Sequence, residues 1–223
     1  MRSFDAVLFD WSGTLVHDPP RDARLARALE VVSRDLPPED RERLSAKLAS
    51  AETHPDVVSA MRDEDTSSAH HRAANMLWFG LAGLDADLAE ALYAFDDDPD
   101  NRPLYSDAIS ILSSVKELDI KVGVVSDIHL DIRVLLAQQG AGAFVDAYVL
   151  SFEHDCQKPD PRMFRTALHL LDVDPNRTLM IGDRCSHDGG AVEVGIATLI
   201  LPPAPRTPGV RGLDVVTRMV RAS

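Results

Sequence analysis

The sequence predicts an α/β protein, a doubly wound parallel sheet whose first strand is followed by an inserted all-helical unit. Three observations predict it. Short apolar runs of strand length recur along the chain, stretches with apolar residues at helical spacing separate them, and residues 17–103 offer helix after helix with no convincing strand. A chain of 223 residues that is 45% hydrophobic and 26% charged can bury one sizeable core and a smaller unit beside it.

Phe4 to Phe9 is an apolar run closed by Asp10 and the Ser12-Gly13 turn pair, as expected of a buried strand ending at a loop. Comparable runs follow at Lys121 to Ser126, Phe144 to Leu150, Thr178 to Ile181 and Ala197 to Leu201. Helical spacing of apolar residues predicts helices between them at Tyr105 to Asp119, Leu130 to Gln139, Pro161 to Leu171 and Asp188 to Val194. The insert reads as Arg24 to Ser33, Glu39 to Glu52, Asp56 to Arg62, Ser67 to Leu81 and Asp85 to Phe95. Prolines punctuate its entrance at Val16 to Pro20, and the turn-rich Asp96 to Pro103 reads as its exit hinge. The expected division is a core of residues 1–16 and 104–223 with a helical cap of residues 17–103. Pro202 to Gly209 reads as a proline-rich linker to a short terminal element.

A formal net charge of −13 and a pI near 4.9 oppose general affinity for nucleic acid or an anionic membrane surface. An anionic substrate must then be held by local cations or a metal. The two cysteines, Cys156 and Cys185, are too few for a disulfide scaffold, and no signal peptide precedes the first strand. No run approaches the ~18 apolar residues of a membrane span. The expectation is a soluble cytoplasmic protein of open oligomeric state.

Ligands of open parallel sheets bind outside the carboxyl ends of the strands. There the chain carries Asp10-Trp11-Ser12-Gly13-Thr14, then Ser126-Asp127, a loop with Lys158-Pro159, and Gly182-Asp183-Arg184 with Asp188 beyond. Each could be an ordinary turn or helix cap. Their order and spacing resemble the four signature motifs of the haloacid dehalogenase superfamily: VLFDWSGT at Val7 to Thr14, VVSD at Val124 to Asp127, Lys158, and IGDRCSHD at Ile181 to Asp188. The helical insert lies where such families place their first type of cap.

The resemblance implies a magnesium-dependent hydrolase, foremost a phosphatase of a small phosphorylated metabolite. Asp10 would be the nucleophile, since a carboxylate attacking phosphorus splits one difficult displacement into two easier ones. Mg²⁺, a hard oxygen-binding cation, would sit on Asp10, the Ser12 carbonyl, Asp183 and Asp188. Lys158 would hold nucleophile and phosphate together, and Ser126, Asp127, Gly13 and Thr14 would contribute phosphate contacts. Trp11 reads as a shape element, Arg184 as solvated, and the Leu77-Trp78-Phe79 run as cap core, with Trp78 able to line the cleft.

Ser12 departs from the family. Phosphatases of this superfamily carry a second aspartate there, which protonates the leaving group, and a serine hydroxyl cannot do so near neutral pH. Two consequences are open: a preference for good leaving groups such as acyl or anhydride phosphates, or an acid borrowed from the cap, where His17, Asp18, His54, His70 and His71 are available. DWSGT also resembles the DWAGT of phosphonoacetaldehyde hydrolases, but their chemistry needs a cap lysine, and Lys47 is the insert's only one, on what reads as a helix surface. Dehalogenase chemistry needs no metal, against the retained Asp183 and Asp188. Loss of the second aspartate also admits a binding or scaffold protein with slowed catalysis.

Overall fold

The computed structural model describes residues 3–205 and 207–221. Met1, Arg2, Arg206, Ala222 and Ser223 lie outside them, and with them the extreme ends of the expected core and one residue of the expected 202–209 linker.

The chain runs from β1 (Ala6–Phe9) into five helices, α1 (Arg21–Val31), α2 (Pro38–Glu52), α3 (Pro55–Ala60), α4 (Ser68–Leu81) and α5 (Ala86–Tyr93). It then alternates through α6 (Ala108–Glu117), β2 (Lys121–Ser126), α7 (Ile132–Gln138), β3 (Ala147–Leu150), α8 (Pro161–Leu171), β4 (Thr178–Gly182), α9 (Cys185–Asp188), β5 (Ala197–Ile200) and α10 (Asp214–Arg221). All strand pairs are parallel, in the order β3-β2-β1-β4-β5. This is the doubly wound α/β sheet with a helical insert that the sequence predicts.

The position of β1 follows from its composition. All four residues of AVLF are buried, so the strand needs cover on both faces and takes the centre. Val7 and Phe9 point into one apolar layer with α6, α7 and α10, while Ala6 and Leu8 point into the other with α8. From β1 the chain winds one way to β2 and β3 and the other way to β4 and β5, so the topological switch lies between β1 and β4. Asp10 and Asp183 are the residues that leave the sheet at that switch.

The insert builds its own apolar centre from Leu25, Leu29, Leu48, Phe79, Leu88 and Leu92. Side chains close its helix starts: Ser67 accepts from the His70 amide and Asp85 from the Leu88 amide. The chain leaves and re-enters the core side by side, where Val16 and Leu104 form an isolated antiparallel bridge.

Three segments differ from expectation. Gly142–Phe144 is a 3₁₀ turn ahead of a shorter β3. The helix expected over Asp188 to Val194 is 3₁₀ from Gly189 onward, preceded by α9. The Gly189-Gly190 pair weakens α-helix there, and Gly190 lies so close to Pro159 that a Cβ would fall 2.6 Å from its ring. The 96–103 segment is anchored, because Arg102 within it is 5% exposed and hydrogen-bonded to Ser12 and Asp18.

Candidate active site

The strand ends converge on a buried ion-pair cluster. Asp10 continues the ladder beyond β1, its amide donating to the Ile181 carbonyl at 2.9 Å. Lys158 Nζ donates to Asp10 Oδ1 and Asp188 Oδ1, each at 2.6 Å. These side chains are nearly inaccessible, with Lys158 2% and Asp188 0% exposed. The Lys158 amide donates to Asp127 Oδ1 at 2.7 Å, which fixes the lysine's loop to the end of β2. Asp188 Oδ2 accepts from the amides of Asp183 and Arg184 at 3.1 and 3.0 Å, so both its oxygens are engaged. Gly182 makes this possible, since a Cβ there would lie 2.2 Å from the Asp188 carboxylate.

Asp183 stands differently. Its buried Oδ1 has no hydrogen-bond partner among the described residues. Gly13, at φ +75°, passes so near that a Cβ would fall 2.3 Å from Asp183 Oδ2. Asp10, Asp183 and Asp188 each offer an oxygen within 4.8 Å of the others, a set able to hold a hard cation. Burial, reinforced by Asp188 and Asp183 and opposed by Lys158, pushes Asp10 up to about 7. Burial pulls Lys158 down, but Asp10, Asp127 and Asp188 outweigh it, and its net shift is upward. Asp183 is raised by burial and by Asp188.

A cavity of about 630 Å³ opens above this cluster, floored by Asp10, Ser12, Asp127 and Lys158 and walled by the insert. Arg102 donates to Ser12 Oγ at 3.1 Å and Asp18 Oδ1 at 3.0 Å, and its Nε lies 3.5 Å from Asp96. Arg24 pairs with the same two aspartates. Burial alone would raise Asp18 and Asp96, but the two arginines outweigh it and hold both below the usual carboxylate range. The Met61–Thr66 segment is tied to the core, Gln157 Nε2 donating to the Arg62 carbonyl at 2.7 Å and Ser151 Oγ to the Asp65 carbonyl. Burial, with Asp65 beside it, lifts Glu64 to about 8, and burial with Asp127 lifts Asp65 to about 7. Burial pushes His71 down to about 3 and His129 to about 4, and their rings stack at 3.4 Å.

The structure thus gathers Asp10, Ser12, Asp127 and Lys158 on the cavity and Asp183 and Asp188 beside Asp10. Gly13 and Thr14 shape the loop from behind, with the Thr14 hydroxyl buried and unpartnered. Ser126 is buried at the tip of β2, its hydroxyl 3.4 Å from the Asp127 carbonyl. Of the five cap residues considered as replacement acids, only Asp18 and His71 line the cavity, Asp18 held as a carboxylate and His71 as neutral imidazole. His17 is buried edge-on to Tyr105, His54 caps α3, and His70 is exposed beside Thr66. Trp78 does line the cavity, while its Nε1 donates to the Leu48 carbonyl at 2.8 Å.

Sequence reasoning missed Arg102, Arg211, Glu64, Asp65 and His129. Arg211, in the terminal segment, donates from Nε to the Gly13 carbonyl at 2.6 Å and so holds the Asp10 loop in shape. His129 had a signal, since it lies two residues past Asp127 on a strand-end loop.

The model of the haloacid dehalogenase-like hydrolases matches residues 4–194. The chain belongs to that family. A haloacid dehalogenase-like hydrolase domain-containing protein 3 from Bos taurus is 32% identical over 128 residues, covering 56% of this chain and 51% of the relative. A glyceraldehyde 3-phosphate phosphatase from Methanopyrus kandleri is 32% identical over 97 residues, covering 43% and 42%. The chain spans about half the length of the curated relatives it matches. Among solved structures, an L-2-haloacid dehalogenase from Xanthobacter autotrophicus superposes with a TM-score of 0.69 at 20% identity, covering 98% of both chains. A HAD phosphatase from Thermococcus onnurineus gives 0.61 at 20% identity over 97% of both. At such identities the likeness establishes the haloacid dehalogenase-like fold and nothing finer.

Proposed function

We propose that this haloacid dehalogenase-like hydrolase is a divalent-metal-dependent phosphatase of a small phosphorylated metabolite, acting through an aspartyl-phosphate on Asp10 beneath a cap of residues 17–103. The observation that carries the reading is the Lys158 ammonium shared at 2.6 Å by Asp10 and Asp188, with an unpartnered Asp183 oxygen alongside. An all-oxygen set suits Mg²⁺, and the residues to hold it are Asp10, Asp183 and the Ser12 carbonyl; bound there, the cation would neutralise the charge that develops between carboxylate and phosphate. Asp188 completes that set and also positions Lys158 and the 183–184 turn. Asp127 does the same for the lysine's amide, since a carboxylate side chain is itself a poor phosphate ligand.

In the reaction, Asp10 attacks phosphorus as the bond to the leaving oxygen breaks, with Lys158 offsetting the repulsion between the two anions. Water then hydrolyses the aspartyl-phosphate to phosphate and free Asp10. The leaving group needs a proton unless it is already a stable anion. Ser12 has none to give at neutral pH, and its hydroxyl accepts from Arg102. The proton falls to Glu64, a cavity-lining carboxyl that burial keeps protonated near neutrality. Acyl and anhydride phosphates, which leave without help, are therefore the better substrates, and alkyl phosphates depend on the cap wall.

The test is phosphate release with Mg²⁺ from acetyl phosphate, p-nitrophenyl phosphate and a panel of phosphorylated metabolites. Turnover is expected for wild type, with a loss of about 10³-fold or more in Asp10→Asn and a gain on alkyl phosphates in Ser12→Asp. Equal turnover by wild type and Asp10→Asn would overturn the reading.

A further inference from the structure

We propose that Asp65, His71 and His129 form a second metal site, for a borderline divalent cation such as Zn²⁺ or Co²⁺, clamped between cap and core in the lining of the cavity that also holds Asp10. The inference does not depend on the phosphatase reading. The three residues come from separate segments: Asp65 from the Met61–Thr66 turn, His71 from α4, and His129 from the loop after β2. Each offers a ligand atom within 4.8 Å of the others.

The contacts inside the cluster are what an ion would complete. His129 is 5% exposed, and its buried Nδ1 has no hydrogen-bond partner among the described residues. That nitrogen faces Asp65 Oδ1 at 3.9 Å. The gap is too long for a hydrogen bond and shorter than the ~4.5 Å that a water bonded to both atoms would span. Two ligands about 2.1 Å from a shared tetrahedral ion lie about 3.4 Å apart, so the pair would close by roughly 0.5 Å on binding. A buried imidazole nitrogen left without a partner is costly, and a polar group so placed calls for a ligand. The His71 ring stacks on His129 with an interplanar angle of 5°. Ligation by both requires the parallel rings to fan apart so that their lone pairs converge. Asn75 Nδ2 lies 3.3 Å from His71 Nε2 and the Tyr93 hydroxyl 3.4 Å from its Nδ1, so ligation through Nε2 requires the Asn75 amide to turn away while Nδ1 keeps the tyrosine.

The donor set separates this site chemically from the strand-end cluster. Asp10, Asp183 and Asp188 supply oxygen alone, which suits Mg²⁺, whereas two imidazoles and a carboxylate suit Zn²⁺, Co²⁺ or Ni²⁺. Three protein ligands beside a cavity leave a coordination position open. Because Asp65 and His71 lie in the insert and His129 in the core, the ion would also hold the two together.

The experiment is titration of chelator-stripped full-length protein with Co²⁺, followed by isothermal calorimetry and by the visible bands of nitrogen-ligated Co²⁺, with thermal unfolding recorded in parallel. Wild type is expected to show a nitrogen-ligand spectrum that saturates at one equivalent and a raised Tm, any Co²⁺ on the all-oxygen strand-end site adding no nitrogen-ligand bands. Asp183→Asn should keep both, while Asp65→Asn and His129→Gln should weaken binding at least tenfold and lose the Tm rise. Circular dichroism of the stripped variants establishes that they fold; were His129→Gln unfolded, His71→Gln takes its place. Absence of a nitrogen-ligand spectrum in wild type, or binding lost in Asp183→Asn but retained in the histidine variants, would overturn the proposal. Phosphatase assays do not enter these readouts, so failure here and failure of the phosphatase reading are told apart.

Discussion

On the strand-end wall of the cavity the charges meet: Lys158 lies 2.6 Å from both Asp10 and Asp188. On another wall Asp65 Oδ1 and His129 Nδ1 stop 3.9 Å apart, with the histidines neutral and Glu64 and Asp65 raised toward neutral pH. Both bury ionisable groups, and burial raises Asp10 and Asp183 as it raises Asp65, but only the first holds a buried ammonium between its carboxylates. The contrast teaches where ligands are needed. The strand-end cluster has its ion pairs already made, whereas the Asp65–His129 pair leaves a buried nitrogen for a ligand to complete.

The largest effect that would sharpen this contrast is removal of the shared cation. Lys158→Met leaves Asp10 and Asp188 buried and facing each other, and should cost about 3 kcal/mol or more in denaturant unfolding at pH 7. A cost within ~0.5 kcal/mol would mean the pair is solvated and the two walls are alike.

Arg102→Met tests the arginine bridge that joins the walls. It frees Ser12 Oγ and leaves Asp18 and Asp96 to share Arg24, for an expected loss of about 2 kcal/mol. Both aspartates titrate below their unfolded value of 3.8, so the stability they supply is present above that pH and lost as pH falls through their folded values. The gap between wild type and variant, measured by unfolding at pH 7 and near pH 3, should therefore shrink in acid; a constant gap contradicts the assignment.

The smallest effect concerns Glu64. Its folded value of about 8 lies above the unfolded 4.5, so its contribution is complete in acid and is lost as pH rises toward 8. His71 and His129, depressed from 6.5, act oppositely, adding stability as pH rises to about 6.5. Above that only the raised acids operate, and metal-stripped wild type should lose stability between about pH 6.5 and 8. Glu64→Gln should flatten that decline by about 1 kcal/mol, and an unchanged slope would show that Glu64 is ionised already.

What was legible in the sequence divides along the same wall. A buried four-residue strand must be central, and the polar residues just beyond each strand share one edge, so Asp10, Lys158, Asp183 and Asp188 could be placed together from local pattern alone. Arg102 sat in a segment that reads as a hinge, because turn residues dominate it and its burial depends on Ser12 and Asp18, 90 and 84 positions away. Arg211 reaches Gly13 across 198 positions, with nothing nearby to announce it. Asp65 and His71 are neighbours within the insert, but His129 joins them only where the insert meets the loop after β2, a contact that no spacing rule encodes.

The account's central claim is that Asp10 accepts a phosphoryl group. Rapid acid quench of wild type with phosphorus-labelled acetyl phosphate and Mg²⁺, followed by peptide mapping, tests it most directly. The account predicts label on the peptide containing Asp10, released by hydroxylamine and absent in Asp10→Asn. Turnover with label on another residue, or turnover undiminished in Asp10→Asn, would contradict it.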